Sequence, residues 1–204
     1  MSDIQKAIDK FNHKNFKAQY AANAAQARDM VLAIIGKTDT VGAGGSMTLE
    51  EAGIIEALLE RGNTVISSTL AKKAGSDPTQ ARKDGMTADV YLTSSNAVTL
   101  QGDLINIDGV GNRAAAMFYG PDKVVVVAGK NKLTDNPMTA VTRIKKEACP
   151  PNAQRLSRDT PCARTGKCGE CEGPDRMCNV VVRIQYPTTG KEIHVILIDE
   201  DYGY

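Results

Sequence analysis

The cysteines offer the most direct chemistry in this sequence. Four of the five cysteines, Cys162, Cys168, Cys171 and Cys178, fall within seventeen residues and include one Cys-x-x-Cys pair. Thiolates at this spacing are ligands for a Zn²⁺ ion or for an iron–sulfur cluster, and the single pair with two outlying cysteines favours the cluster. Two disulfides or free thiols are the alternative. The remaining cysteine, Cys149, is predicted to be a separate buried thiol.

A second chemically capable group lies between Asn96 and Arg113, where three glycines, three asparagines and two aspartates occur among apolar residues. Glycine allows positive φ and close backbone approach, and Asn and Asp bond their own backbone in tight turns. We interpret the stretch as a ligand-binding loop, in which Asp108 acts as a base or orients a hydroxyl and Arg113 clamps an anion. The alternative is a structural turn. The predicted binding residues are Asn96, Asn106, Asp108, Gly109, Gly111, Asn112 and Arg113.

A glycine turn over residues 42–48 precedes a predicted helix, since Thr48 and Glu51 have capping-box spacing. Amides at a helix N-terminus suit a phosphate or carboxylate, although a plain strand-to-helix turn is equally consistent. The sequence has neither a Walker lysine nor the full dinucleotide spacing, so neither ATP nor NAD is predicted. Lys132 follows a predicted buried strand, at the position where α/β sheets place ligand contacts. The predicted anion contacts are Gly44, Gly45, Ser46, Thr48 and Lys132.

The elements that must position these residues alternate between helix and strand, which predicts an α/β fold with a layered sheet and flanking helices. Apolar residues from Ile4 to Ile34 follow one helical stripe, and residues 124–128 (VVVVA) predict a strand buried on both faces. Residues 97–107 predict a hairpin. Asn136 and Pro137 predict the start of a helix that the Cys149-Pro150-Pro151 sequence ends.

The C-terminal part of the chain needs a different source of order. Residues 152–178 are rich in Pro, Gly, Cys and charge and have few large apolar side chains, so we expect a metal to staple this segment to the body. Residues 179–186 and 192–199 predict two strands of a terminal hairpin. With 204 residues in all, the chain is predicted to form a single domain, 1–204.

The overall composition is that of an ordinary globular protein, with 42% hydrophobic and 24% charged residues. A net charge of +1 gives no support for a nucleic-acid or membrane-surface partner. No apolar run approaches the ~20 residues of a membrane helix, and the N-terminal residues lack the apolar centre of a signal peptide. We therefore expect a cytoplasmic protein, in which cysteines are ligands or thiols. The sequence leaves homo-oligomerisation open.

Four segments together resemble the LUD (lactate utilisation) domain family: GAGGSMTLEEAG, SSNAVTLQGDLINIDGVGNRAA, GPDKVVVVAGKNKL and PCARTGKCGECEGPDRMCN. The last resembles a subgroup of single-domain members. The resemblance implies a fold like that of the ribose-5-phosphate isomerase, glucosamine-phosphate deaminase and CoA-transferase superfamily. It also implies a role in oxidising lactate to pyruvate, beside iron–sulfur and flavin-type oxidoreductase subunits. The CoA-transferase catalytic glutamate has no obvious counterpart, so transferase chemistry is not predicted.

These observations favour a component of a lactate-oxidising system that binds a small anionic ligand and holds a cluster or a structural metal. A free-standing enzyme acting on a sugar phosphate or an acyl thioester is a second reading. A scaffold protein whose metal holds a partner-binding loop is a third. The sequence does not decide whether the isolated chain is an enzyme.

Overall fold

Ten strands form two sheets in the computed structural model, which describes residues 1–169 and 171–204. The strands are β1 (Lys17–Ala21), β2 (Val41–Ala43), β3 (Val65–Ser67), β4 (Val90–Thr93), β5 (Ala97–Thr99), β6 (Leu104–Asp108), β7 (Lys123–Gly129), β8 (Leu133–Thr134), β9 (Val180–Ile184) and β10 (Glu192–Ile198). The larger sheet has the order β1-β10-β7-β4-β2-β3, with every pair parallel. The smaller sheet has the order β8-β5-β6-β9 and is mainly antiparallel.

Helices cover both faces of the larger sheet, as the predicted α/β fold requires. They are α1 (Asp3–His13), α2 (Ala24–Ile34), α3 (Met47–Glu51), α4 (Ile54–Glu60), α5 (Ser68–Lys73), α6 (Pro78–Asp84), α7 (Asn112–Tyr119), α8 (Pro137–Arg143), α9 (Cys149–Arg155) and α10 (Pro161–Thr165). A π-helical turn, Ile144–Ala148, joins α8 to α9. Among the described residues, none of these helices is long and apolar enough to cross a membrane.

The core lies on both sides of β7, and the prediction of a strand buried on both faces is confirmed. Val124, Val126 and Ala128 belong to a cluster that includes α1 and α7. Val125 and Val127 point the other way and pack with α2, α3 and α4. Successive side chains of a strand alternate between faces, so a continuous apolar run is stable only where both faces are covered.

The helical stripe from Ile4 to Ile34 is not one helix, so that prediction is wrong. Strand β1 separates α1 from α2 and pairs with β10. The Asn12 side chain ties the end of α1 to β1, because its Oδ1 accepts from the Ala18 N–H at 2.7 Å. Asn15 then turns the chain with a φ of +66°. The strand forms because an edge of the larger sheet is available, which local sequence does not reveal.

The predicted terminal hairpin is also wrong. Strand β9 pairs antiparallel with β6 in the smaller sheet, whereas β10 lies between β1 and β7 in the larger one. The apolar residues of β10 contribute to the clusters on both faces of the larger sheet. A two-stranded terminal hairpin would leave one of those faces in water, so burial favours the central position.

The Cys149-Pro150-Pro151 sequence does not end the helical region, which corrects a further prediction. Both prolines lie in the first turn of α9, where a missing amide N–H costs little. The π-helical turn before Cys149 absorbs the change in geometry. Residues 149–155 therefore remain helical and bring α9 against the smaller sheet and the cysteines.

The order of the strands locates a crevice. From β2 the chain crosses outward to β3 and then returns to β4 on the other side of β2. Ligands of open α/β sheets bind outside the carboxyl ends of strands at such a reversal. The carboxyl ends of β2, β4 and β7 lead directly into residues 44–48, 94–96 and 130–132. These three polar segments, which contain or adjoin the predicted binding residues, thus meet at one edge of the sheet.

Candidate functional site

A cavity of about 300 Å³ opens at this edge and reaches the cysteines, and we name it the central cleft. It brings together the glycine turn and the Asn96–Arg113 stretch. The predicted residues that line it are Gly45, Ser46, Asn96, Asp108, Gly109, Asn112, Arg113 and Lys132. Four other predicted residues, Gly44, Thr48, Asn106 and Gly111, are not part of the lining. Their ligand-binding roles, like those of the lining residues, stay predictions.

The glycine turn is held in place by a cap and by close packing. Ser46, not Thr48, caps α3, and its Oγ accepts from the Leu49 N–H at 3.3 Å. A Cβ on Gly44 would lie 3.2 Å from both the Arg113 Cγ and the Thr93 Oγ1. Glycine at this position therefore lets the turn approach the Asn96–Arg113 stretch.

Lys132 is the most unusual cation of the cleft. Only 4% of the residue is exposed, and its Nζ donates to Thr48 Oγ1 at 2.7 Å and to Ser94 Oγ at 3.1 Å. Across residues 1–169 and 171–204, no carboxylate oxygen forms an ion pair with it within 4.0 Å. Burial, together with the charges of the nearby Arg143 and Arg113, lowers the pKa of Lys132 to about 7, while Glu51 acts in the opposite direction.

The Arg113 guanidinium forms hydrogen bonds with other groups of the protein. Its Nε donates to Asp108 Oδ1 at 3.0 Å, and the same carboxylate also accepts from a terminal nitrogen of Arg113. The other Asp108 oxygen accepts from the Ala114 N–H at 2.8 Å, near the start of α7. Asp108 and Arg113 are therefore engaged with each other and with backbone. These contacts match the structural-turn alternative, and the predicted anion clamp would require them to be exchanged.

Asn96, which precedes β5, and Asn106 of β6 link these two strands of the smaller sheet next to the cleft. Asn96 Oδ1 accepts from the Ile107 N–H at 3.0 Å and from Arg113 at 2.7 Å. Asn106 Oδ1 accepts from the Asn96 N–H at 3.2 Å. The buried Asn106 Nδ2 has no acceptor among the described residues. The motif is thus a closed network with one unsatisfied donor at its centre.

Several residues of the site escaped the sequence analysis. Ser94 follows β4 and contacts Lys132, and Arg143 of α8 donates to the Asn96 carbonyl at 2.9 Å. The C-terminal residues also support the site, because the Thr48 hydroxyl donates to the Tyr202 carbonyl at 3.1 Å. A Cβ on Gly203, whose φ is +61°, would lie 2.6 Å from that hydroxyl. The serines that directly follow β4 could have been recognised from the sequence as candidate site residues. The C-terminal residues carry no sequence pattern that would have pointed to the site.

A family model describes this arrangement of segments. The model of the LUD domain matches residues 4–198. The chain belongs to the LUD domain family. Membership indicates an involvement in lactate utilisation, as the resemblance implied.

The solved structures include a similar chain. A DUF162 family protein from Deinococcus radiodurans, with 15% sequence identity, aligns over 97% of this chain and 99% of its own with a TM-score of 0.54. At this identity the likeness shows the fold alone. No curated protein matches the chain. The wider resemblance to the ribose-5-phosphate isomerase superfamily stays a prediction.

The cysteines of this LUD domain share one neighbourhood beside the cleft. All five are free thiols. Cys149 Sγ lies 3.5 Å from Cys178 Sγ, so Cys149 is buried as predicted but is not separate. Among the described residues, no three Cys, His, Asp or Glu side chains are arranged to hold a metal ion. The structure therefore shows proximity of thiols and not a formed metal site.

The cysteines and nearby charged groups shift the pKa values of several of the thiols. The hydrogen bond from Cys149 lowers the pKa of Cys178 to about 6, helped by Lys145 and Arg176. The same bond raises the pKa of Cys149, with burial and the charges of Cys178, Cys162 and Cys168 adding to the effect. Burial and three other cysteines likewise raise the pKa of Cys171. Cys178 is the thiol most ready to act as a thiolate.

Proposed function

We propose that this LUD domain binds a small carboxylate, lactate or pyruvate, in the central cleft as a component of a system that oxidises lactate to pyruvate. The main support for the proposal is the environment of Lys132. Its amine is buried at the cleft, with two hydroxyl partners and no carboxylate partner among the described residues. A buried cation is costly unless it is paired, and a bound carboxylate would supply the partner.

The surroundings of Lys132 suit a ligand with one negative charge and a hydroxyl or carbonyl group. Arg113 and Arg143 both lie close enough to lower the pKa of Lys132, and they add positive charge beside it against Glu51 and the Asp108 carboxylate that pairs with Arg113. Ser46 and Asn112 line the same cleft and offer neutral hydrogen-bonding groups. A carboxylate beside Lys132 would gain charge-assisted hydrogen bonds, which are stronger than neutral ones.

Calorimetry of lactate and pyruvate binding tests this proposal. We expect Lys132→Met to weaken binding by tenfold or more, because it removes the charge while keeping a similar length. The matched control is Lys130→Met, since Lys130 lies two positions away, is exposed and pairs with Asp199 at 3.3 Å. Equal affinity of the wild type and Lys132→Met for both acids would contradict the proposal.

The chain is also proposed to act in the cytoplasm beside iron–sulfur or flavin-type oxidoreductase subunits, because a carboxylate-binding chain needs an electron acceptor to oxidise lactate. Purification of the tagged chain from its own cells, followed by identification of bound proteins, tests this. Recovery of oxidoreductase subunits is the expected result, and repeated recovery of the chain alone would count against it.

Cys162, Cys168, Cys171 and Cys178 are proposed to hold a Zn²⁺ ion or an iron–sulfur cluster. Free thiols near one another are suitable donors for either, and Arg176 beside Cys178 would offset negative charge. The thiols must converge further when metal binds, which fits a segment that metal binding orders. Anaerobic purification with metal analysis and a visible spectrum distinguishes the two metals, and a metal-free protein would contradict both.

A second candidate is a free-standing enzyme acting on a sugar phosphate or an acyl thioester. It is favoured by arginines elsewhere along the cleft, Arg82, Arg155 and Arg158, which would suit phosphate groups. Ribose 5-phosphate and an acyl-CoA in the same calorimeter, followed by a search for turnover, test it. Tight binding of these compounds without binding of lactate or pyruvate would favour this candidate.

A further inference from the structure

Two of the thiols approach each other at the wall of the central cleft. Cys149 is the first residue of α9, Cys178 lies two positions before β9, and their Sγ atoms are 3.5 Å apart although 29 positions separate them in sequence. Both residues line the cleft. Cys149 is 8% exposed and Cys178 is more accessible. The other three thiols have different hydrogen-bond partners: Thr160 for Cys162, and the Gly169 carbonyl for Cys168 and Cys171.

We propose that Cys149 and Cys178 form a reversible disulfide that joins α9 to the start of β9 and removes Cys178 from the metal-binding set. A disulfide bond is about 2.05 Å long, so the two sulfurs need to approach by roughly 1.5 Å, a movement shared between two side chains. The removal of Cys178 from the metal-binding set depends on the metal centre proposed above. The formation of the disulfide does not depend on it.

The oxidant is a low-molecular-weight disulfide such as glutathione disulfide. The Cys178 thiolate is the accessible one, and it attacks one sulfur of the oxidant, breaks the S–S bond and releases one thiolate. The Cys149 thiolate then attacks the Cys178 sulfur of the mixed disulfide and releases the second. The two protons lost by the protein thiols go to the two released thiolates. The protein is oxidised by two electrons and the reagent is reduced to two thiols.

The disulfide and the metal exclude each other, because Cys178 cannot donate a thiolate to an ion while it is bonded to Cys149. Oxidation would therefore release the metal, and reduction would restore the site. Helix α9 also carries Asn152 and Arg155 into the cleft lining. A change in the redox state of the two cysteines would thus affect the cleft lining through helix α9.

Peptide mapping tests the pair directly, since trypsin separates the two cysteines. Cleavage after Lys146 and Arg155 yields a peptide with Cys149 as its only cysteine, and cleavage after Arg176 and Arg183 yields one with Cys178 alone. The full chain is purified anaerobically, treated with glutathione disulfide and digested without reduction. We expect a cross-linked peptide that contains both cysteines and disappears after reduction.

Cys149→Ser is the matched variant, because it keeps all four predicted metal ligands. We expect glutathione disulfide to release most of the metal from the wild type and to release it at least several times more slowly from Cys149→Ser. Equal release from both would overturn the link between the disulfide and the metal. Two unmodified thiols, or a dominant link between other cysteines, would overturn the disulfide itself. A metal-free purified protein would refute the metal centre alone, and the peptide map would still decide the pairing.

Discussion

Carboxylate binding to the central cleft is expected to depend on the protonation of Lys132. Burial lowers the pKa of this lysine to about 7, and Arg143 and Arg113 contribute in the same direction while Glu51 opposes them. Only the ammonium form attracts a carboxylate strongly. The ligand itself stays ionised across the neutral range, because carboxyl groups titrate near pH 4. Any change in affinity between pH 6 and 8 therefore reports on the protein.

The magnitude follows from the pKa. With a value of about 7, roughly nine-tenths of the Lys132 side chains are charged at pH 6, half at pH 7 and one-tenth at pH 8. If only the charged form binds, the association constant falls about tenfold from pH 6 to pH 8, which is about 1.4 kcal/mol. Because the bound carboxylate favours the ammonium form, each binding event at pH 7 takes up about half a proton.

Calorimetry with pyruvate at pH 6, 7 and 8, repeated in two buffers of different ionisation enthalpy, measures both the affinity and the proton uptake. Lys132→Met should bind weakly, with neither pH dependence nor proton uptake over this range. A wild-type affinity that does not change from pH 6 to pH 8 would contradict the role assigned to Lys132. A Lys132→Met variant that keeps the wild-type pH profile would contradict it equally.

The remaining predictions concern stability and metal content. Since folding lowers the pKa of Lys132 from 10.5 to about 7, the unfolded chain binds more protons, so the wild-type urea midpoint should rise from pH 7 to pH 10. Lys132→Met should lose this rise. Arg113→Ala should lower the free energy of unfolding by about 3–5 kcal/mol, because it leaves the Asp108 carboxylate largely buried and unpaired; a change below 1 kcal/mol in urea denaturation would contradict this. Cys171→Ser, like replacement of any other predicted ligand, should reduce the metal content and expose residues 152–178 to proteases, whereas Cys149→Ser should not.

Features that depend on residues close together in the chain could be predicted from the sequence alone. The hairpin predicted over residues 97–107 is confirmed, since β5 and β6 pair antiparallel across a turn in which Gly102 has a φ of +75°. The helix start at Asn136 is also confirmed, because Asn136 and Thr139 form a reciprocal capping box. The signals for these elements lie within a few residues of each other, so local geometry and hydrogen bonding suffice to read them.

Contacts between residues far apart in the chain could be read from the folded structure but not from the sequence. Lys132 contacts Thr48 from 84 positions away and Ser94 from 38, and no local pattern records these pairings. The same is true of Cys149 and Cys178, and of β10, whose place between β1 and β7 replaced the expected hairpin. A strand or a side chain takes the partner that buries the most apolar surface and satisfies the most polar groups in the assembled fold. That choice depends on the whole sheet, and so the residues near the cleft were predictable while their contacts were not.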